Sequence, residues 1–147
     1  MMKMFRTLAL ALALGTPAVT MAAGPIVVHR DPGCGCCEQW ARQVKAGFDR
    51  QVRMIDDPNR AALKARLGVP AAQSSCHTAI VDGMAFEGHV PIADMKRALA
   101  ARPAGVKGLA VAGMPIGSPG MEVAGAKRQP YVVIAFGENG QRVFARH

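Results

Sequence analysis

Three of the four cysteines lie within four residues, at Cys34, Cys36 and Cys37. Residues 26–29 before them are rich in β-branched side chains and predict a strand, and the segment after them is amphipathic. A tight Gly-rich turn between a strand and a helix places the thiols at the helix N-terminus, where the macrodipole and free N–H groups favour thiolate. Buried cysteines often act only as small apolar side chains, but three of them between glycines in a turn fit that role poorly. We therefore expect thiolate chemistry at this turn.

The spacing of these cysteines is compatible with more than one chemistry. Cys34 and Cys37 form the C-x-x-C pair typical of dithiol oxidoreductases, with Cys34 as nucleophile and Cys37 as resolving thiol. Cys36 complicates that interpretation, because a third thiol can divert the pair into another disulfide. For a metal ion, clustered thiolates that bridge between ions are an advantage, and soft sulfur ligands favour Cu(I), although zinc is also thiophilic. Three hypotheses stay open: a multinuclear soft-metal site, a thiol–disulfide oxidoreductase and a zinc-stabilised structural module.

The fourth cysteine, Cys76, is the only remote partner for the other three. Small exported domains commonly use paired cysteines as a disulfide framework. Cysteines one to three residues apart cannot cross-link distant parts of a fold, so no such framework is expected here.

The order of predicted elements is strand, helix, strand, helix, hairpin, helix, which is the thioredoxin-type order. It predicts an α/β fold with a thioredoxin-like mixed sheet flanked by helices, in which the first two strands are parallel. Asp82-Gly83 predicts a type I′ hairpin turn. The predicted strands cover 26–30, 51–55, 75–81 and 84–88, and the predicted helices cover 36–48, a segment opened by Asp57-Pro58 and ended by Gly68, and a segment from Pro91 to just before Pro103.

Two further features follow the third predicted helix. Residues 103–130 are a long Gly/Pro-rich connection whose apolar residues argue against simple disorder, so we expect a packed loop over the cysteines. A β-hairpin with strands at 131–136 and 141–144 ends the chain.

In the thioredoxin-type order the third strand starts beside the end of the first, so Cys76 is expected to face the other cysteines. Side chains alternate along a strand, so His77 should point away from Cys76, which leaves its role as a ligand open. His89 follows the hairpin and is a candidate ligand, supporting hydrogen-bond donor or local cap. His29, at the end of the first strand, is expected at the surface.

Thioether sulfur is also a ligand for Cu(I). Met114 and Met121 in the Gly/Pro-rich loop are better candidates than Met84, although methionine also fills irregular gaps in cores.

The N-terminus has the layout of a secretory signal peptide over residues 1–23: a basic start, a short apolar run and small residues before cleavage near Ala22 or Ala23. We expect export to the periplasm and one domain over residues 24–147. Removing Lys3 and Arg6 leaves 16 basic against 10 acidic residues, a formal charge of +6 in place of +8. Without aromatic interleaving this excess indicates a solvated surface rather than nucleic-acid binding, and no segment is long enough for a membrane span.

The chain resembles the CopG-type family of small exported proteins linked to bacterial copper resistance. The resemblance rests on four segments in the same order: CGCC at 34–37 followed by Trp40, SCHTA at 75–79, EGHVP at 87–91 and GMPIGSPGME at 113–122. It implies a thioredoxin-like fold that binds several copper ions in a cysteine-bridged cluster, with a role in copper detoxification or copper redox chemistry. Other periplasmic copper-handling proteins are the expected partners.

The resemblance also implies which residues hold the copper. The core ligands are Cys34, Cys36, Cys37 and Cys76, with His77, His89 and Met114 as further candidates. At Met84 the family often has tyrosine, so Met84 is not expected to be an essential ligand.

Overall fold

The computed structural model describes residues 23–147. The signal peptide predicted over residues 1–23 therefore lies outside the described residues except for Ala23. The elements are, in chain order, β1 (Ile26–Arg30), α1 (Gly35–Phe48), β2 (Val52–Asp56), α2 (Arg60–Leu67), a short 3₁₀ turn (Ala71–Gln73), β3 (His77–Val81), β4 (Met84–Glu87), α3 (Ile92–Ala101), β5 (Val106–Ala110), β6 (Val132–Gly137) and β7 (Gly140–Arg146).

The strands form one mixed sheet in the order β2-β1-β3-β4-β5-β6-β7. β1 pairs in parallel with β2 and β4 with β5, and the other neighbours are antiparallel. This confirms the predicted α/β class and the parallel first pair. In the β1–β3 register Arg30 lies opposite His77. The last residue of β1 and the first residue of β3 therefore lie side by side at one end of these two strands.

The hairpin between β3 and β4 forms as predicted at Asp82-Gly83. Asp82 has a φ of 47° and Gly83 has a φ of 81°. A type I′ turn requires positive φ at both central residues, and aspartate and glycine are among the few residues that tolerate it.

The prediction of an unbroken loop over 103–130 is wrong, because β5 lies inside it. Its sequence, VKGLA, carries a glycine and lacks clear alternation, so local pattern does not reveal a strand. The strand forms because β4 and β6 pair with it on both sides. A Cβ at Gly108 would collide with the Ala85 carbonyl and the Phe136 ring. The same glycine that weakens the local strand pattern is therefore required for the strands to pack closely.

The start of α2 also differs from the prediction. Asn59, not Asp57, is the N-cap residue, and the helix begins at Arg60. The Asp57 carboxylate instead accepts hydrogen bonds from the Asn59 N–H at 2.8 Å and from His29 Nδ1 at 2.8 Å. Aspartate that bonds the backbone two residues on forms a turn of its own, which delays the helix.

The main core cluster is built from α1, α3 and the sheet, and Trp40, Phe86 and Met95 are fully buried in it. Met84, 3% exposed, belongs to the same cluster, so it is a core side chain, in line with its weak candidacy as a ligand. Among the described residues, no helix has the length and apolar character needed to cross a membrane.

Candidate metal centre

The first three cysteines lie where β1 gives way to α1. Cys34 is the N-cap residue of the helix, and its Sγ accepts a hydrogen bond from the Cys37 N–H at 3.3 Å. A sulfur in this position satisfies one of the unpaired N–H groups of the first turn and lies at the positive end of the macrodipole. The three cysteines are therefore at a helix N-terminus, as predicted.

Four cysteine sulfurs from two separate segments form one cluster, all within 4.8 Å of one another. Cys36 Sγ lies 3.4 Å from Cys34 Sγ and 4.0 Å from Cys76 Sγ. Cys37 Sγ lies 3.4 Å from Cys76 Sγ. The topology thus brings Cys76 to the other cysteines, as expected from the order of the strands.

Two of the four sulfurs are bonded to each other. Cys34 and Cys37 form a disulfide across one turn of α1, whereas Cys36 and Cys76 are free thiols. This disulfide joins residues three apart in sequence, so it closes only a small loop and is not a framework between distant segments.

The Cys76 thiol is partly buried within the cluster. Burial, reinforced by the nearby Cys36 sulfur, raises the pKa of Cys76 to about 12. Cys76 is therefore protonated at neutral pH in the absence of metal, and an ion that binds it must displace the proton.

His77 lies beside Cys76 rather than pointing away from it. The strand β3 begins at His77, so Cys76 belongs to the irregular segment before it and strand alternation does not apply across the pair. His77 Nδ1 is 3.5 Å from Cys76 Sγ. The expectation of opposite faces is wrong for this reason.

The His77 ring is fully buried between two other rings. Its centroid lies 4.4 Å from that of Trp40 and 4.9 Å from that of His89. Burial, with the neighbouring His89, holds the pKa of His77 well below its usual range. Its Nε2 finds no hydrogen-bond partner among residues 23–147, so a neutral imidazole is kept beside the sulfurs with an unsatisfied nitrogen.

His89 has one ring nitrogen committed and the other directed at the cluster. Its Nδ1 donates to the Pro119 carbonyl at 2.8 Å, and its Nε2 lies 3.3 Å from Cys76 Sγ. Because Nδ1 carries the proton, Nε2 presents a lone pair, and burial lowers the pKa of His89. A carbonyl that orients a ligating imidazole in this way is a common feature of metal sites.

The Gly/Pro-rich loop packs over the cysteines, as expected. Gly120 has φ +82° and lies very close to α1. A Cβ added there would come within 2.7 Å of the Trp40 backbone nitrogen and 2.8 Å of the Cys36 carbonyl oxygen. Glu122 holds the loop in place, since its carboxylate accepts from the Gly120 N–H at 2.8 Å and from Gln43 Nε2 at 3.0 Å.

This loop brings one methionine to the cluster. Met114 Sδ lies 3.9 Å from Cys36 Sγ, and the side chain is 51% exposed. Among the described residues the Met121 thioether makes no hydrogen bond, and His29 pairs with Asp57 rather than with a sulfur. The structure therefore brings together the candidates Cys34, Cys36, Cys37, Cys76, His77, His89 and Met114. Met84 is instead a core side chain, and His29 pairs with Asp57.

The segment that carries Cys76 is held in place by residues that were not identified from the sequence. Glu87, fully buried, accepts from the Ser75 N–H at 2.6 Å and from Thr78 Oγ1 at 2.5 Å. Lys64 of α2 lies 2.8 Å from the same carboxylate and also donates to the Ser75 carbonyl at 2.7 Å. In the sequence, Glu87 at the end of an otherwise apolar strand could have indicated these contacts, because a buried charge needs a partner.

Comparison with known proteins places this geometry in a family. A family model described as a protein of unknown function, DUF411, matches residues 73–121. The structure named copper resistance protein copG, Form 1, is 40% identical and has a TM-score of 0.78, with 86% of this chain and 98% of that chain covered. The Form 2 structure is 41% identical with a TM-score of 0.75, covering 86% and 99%. This chain belongs to the CopG family. No curated protein matches it.

The family model and the two solved structures differ in how much of the candidate metal centre they cover. The DUF411 segment contains Cys76, His77, His89 and Met114 but not the three cysteines at α1. The CopG structures cover most of the chain, so membership of the CopG family rests on the fold as a whole. The resemblance to this family inferred from four sequence segments is confirmed.

Proposed function

We propose that this chain binds several Cu(I) ions in a cysteine-bridged site and protects the cell from copper by sequestering them. The observation that carries the proposal is the set of four cysteine sulfurs within 4.8 Å, drawn from two separate segments. Thiolate and thioether ligands favour soft metals such as Cu(I), although zinc is also thiophilic, and imidazole also suits copper. The names of the two similar structures, copper resistance protein copG, point the same way.

The ligands we propose are Cys34, Cys36, Cys37 and Cys76, with His77, His89 and Met114 completing the set. Supporting observations are the 3.5 Å distance from His77 Nδ1 to Cys76 Sγ, the oriented His89 Nε2 and the 3.9 Å distance from Met114 Sδ to Cys36 Sγ. The mixture of sulfur and imidazole donors also supports a second part of the proposal, in which each bound copper cycles between Cu(I) and Cu(II) by exchanging one electron with an external redox partner. Copper is the substrate or cargo in either case.

We place this activity in the periplasm, after removal of a signal peptide over residues 1–23, leaving one domain over residues 24–147. The basic start, short apolar run and small residues at the N-terminus support this localisation. Other periplasmic copper-handling proteins would supply the copper or receive it.

A thiol–disulfide oxidoreductase is the second candidate. It is favoured by the Cys34–Cys37 disulfide, a C-x-x-C pair at a helix N-terminus. Such an enzyme depends on Cys34 and tolerates loss of Cys76, whereas a copper cluster depends on both.

The test is elemental analysis of protein purified without oxygen from copper-supplemented cells, for the wild type, Cys34→Ser and Cys76→Ser. We expect more than one copper per wild-type chain and a loss of at least half of it in each variant. Copper near zero, with a wild-type activity towards a model disulfide that only Cys34→Ser abolishes, would establish the oxidoreductase instead. One zinc per chain that copper does not displace would establish the zinc-stabilised module.

A further inference from the structure

The disulfide divides the four sulfurs into two pairs with different chemistry. Cys34 and Cys37 are joined, and a sulfur in a disulfide has no thiolate charge to offer a metal. Cys36 and Cys76 remain free thiols, with their sulfurs 4.0 Å apart. The oxidised protein therefore keeps two potential thiolate ligands that come from different segments of the fold.

The free pair has the right separation for one metal ion. With metal–sulfur bonds of about 2.3 Å, the length typical of zinc thiolates, a sulfur–sulfur distance of 4.0 Å corresponds to a sulfur–metal–sulfur angle of about 120°. That angle suits three-coordinate binding. The pair can thus hold an ion without a change in the backbone.

A possible third ligand lies at each end of the Cys36–Cys76 pair. His89 Nε2 lies 3.3 Å from Cys76 Sγ, with its lone pair available because Nδ1 is committed to Pro119. Met114 Sδ lies 3.9 Å from Cys36 Sγ at the exposed end. One sulfur–sulfur–nitrogen or sulfur–sulfur–thioether set is therefore assembled while the disulfide is intact.

We propose that the disulfide form binds a single Cu(I) ion between Cys36 and Cys76, and that reduction of Cys34–Cys37 opens the capacity for the others. This inference rests on the proposed function and adds its regulation. The number of ions held would follow the supply of reducing equivalents, one in the oxidised protein and several in the reduced protein.

The reductive step balances with a dithiol reductant. The reductant transfers two electrons and two protons to the Cys34–Cys37 bond, which breaks to give two thiols, and the reductant itself becomes a disulfide. Cys34 is partly exposed whereas Cys37 is buried, so the incoming thiolate attacks Cys34 Sγ and Cys37 leaves. Each new thiol gives up its proton when it binds copper.

The inference is tested by counting thiols and Cu(I) per chain in the wild-type protein under nitrogen, before and after treatment with a phosphine reductant that is then removed. We expect two free thiols and one Cu(I) before reduction, and four free thiols and more than one Cu(I) after it. This comparison needs no substitution, so it does not depend on the folding of a variant.

Two double variants provide matched controls, each removing one pair of sulfurs. The Cys34→Ser/Cys37→Ser protein should bind one Cu(I) whether or not it is reduced. The Cys36→Ser/Cys76→Ser protein, with its disulfide intact by thiol count, should bind none until it is reduced.

Three results would overturn the inference, and they bear differently on the proposed function. If the oxidised wild type binds no Cu(I) and the reduced protein binds several, the single-ion site is refuted while the multinuclear site stands. If the reduced wild type binds no more than one Cu(I), the gain on reduction and the multinuclear site are both refuted. If the oxidised wild type already binds several, the inference is refuted while the multinuclear site stands.

Discussion

At the scale of single residues, His89 connects the loop to the cluster through its two ring nitrogens. Nδ1 is bonded to the Pro119 carbonyl, and Nε2 lies 3.3 Å from Cys76 Sγ. Any metal ligand must hold its geometry against solvent and chain motion, and a hydrogen bond on the far nitrogen supplies that restraint. Removing the imidazole therefore removes a donor and an anchor of the loop together.

We expect His89→Gln to weaken Cu(I) binding by at least about 10- to 100-fold, because loss of a ligand's hydrogen-bond partner alone costs about that much and this change removes the donor nitrogen as well. Competition with a coloured Cu(I) chelator under nitrogen measures the change. His29→Gln is the matched control, because His29 pairs with Asp57 and not with a sulfur. Equal binding by wild type and His89→Gln would exclude His89 from the centre.

His77 predicts how the stability of the metal-free protein depends on pH. Burial holds its pKa well below 6.5 and burial also lowers the pKa of His89, so below about pH 6.5 the unfolded chain takes up protons that the folded chain does not. Stability then falls as the pH falls. The free energy of unfolding should decrease between pH 7 and pH 5, by at most about 1.4 kcal/mol per pH unit for each histidine.

Urea unfolding at several pH values measures this slope. The His77→Asn variant has one buried titrating group fewer, so its slope should be shallower whatever its absolute stability. A wild-type free energy of unfolding that is constant from pH 7 to pH 5 would contradict the assignment of buried, neutral imidazoles.

At the scale of elements, the contact between the Gly/Pro-rich loop and α1 decides where Met114 and the Pro119 carbonyl lie. Gly120 makes this contact at φ +82°, with the Trp40 nitrogen and the Cys36 carbonyl too close for a side chain. Gly125, in the same loop, has a similar φ of +76°, but a Cβ added there would have nothing within 4 Å. Substitutions at the two glycines therefore distinguish the cost of a side chain at positive φ from the cost of disturbing the contact with α1.

We expect Gly125→Ala to cost about 1–2 kcal/mol, the penalty for a left-handed residue with a Cβ. Gly120→Ala should cost about 1–3 kcal/mol more, because the added carbon also displaces the loop from α1. Urea unfolding of both variants gives the difference, and the same proteins should rank in that order for loss of copper binding. Equal costs at the two positions would mean that the loop does not pack on the helix as described.

At the scale of the whole molecule, the fold does not depend on metal for its core. Trp40, Phe86 and Met95 are fully buried in one cluster that spans helices and sheet, and a domain of about 125 residues buries enough surface to be stable alone. The cysteine cluster lies at one edge of this core, where the ends of β1 and β3 meet.

We therefore expect the metal-free protein to keep its far-UV circular dichroism and to unfold in one cooperative transition. Cu(I) should then add stability by mass action, about 4 kcal/mol at a free concentration a thousandfold above Kd. Thermal unfolding with and without Cu(I) measures both. Loss of structure on chelation would instead support the zinc-stabilised module, because such modules fold only with their metal.

Much of the architecture was determined by the sequence alone, because it follows from local patterns. Apolar periodicity located β1 and α1, and Asp82-Gly83 located the hairpin, since few residues accept positive φ at both turn positions. The three cysteines at α1 are close in space because they are close in sequence. The order of strands then placed Cys76 near them.

Other features were decided only by tertiary structure. β5 exists because its neighbours pair with it and Gly108 allows them close, which outweighs a weak local pattern. The position of His77 depended on where β3 begins, a boundary that periodicity does not resolve. The contacts of His89 and Met114 with the sulfurs, and the Glu87–Lys64 pair behind Cys76, join residues that are far apart in sequence. Only packing of the completed fold determines such distances, because no local preference of the chain encodes them.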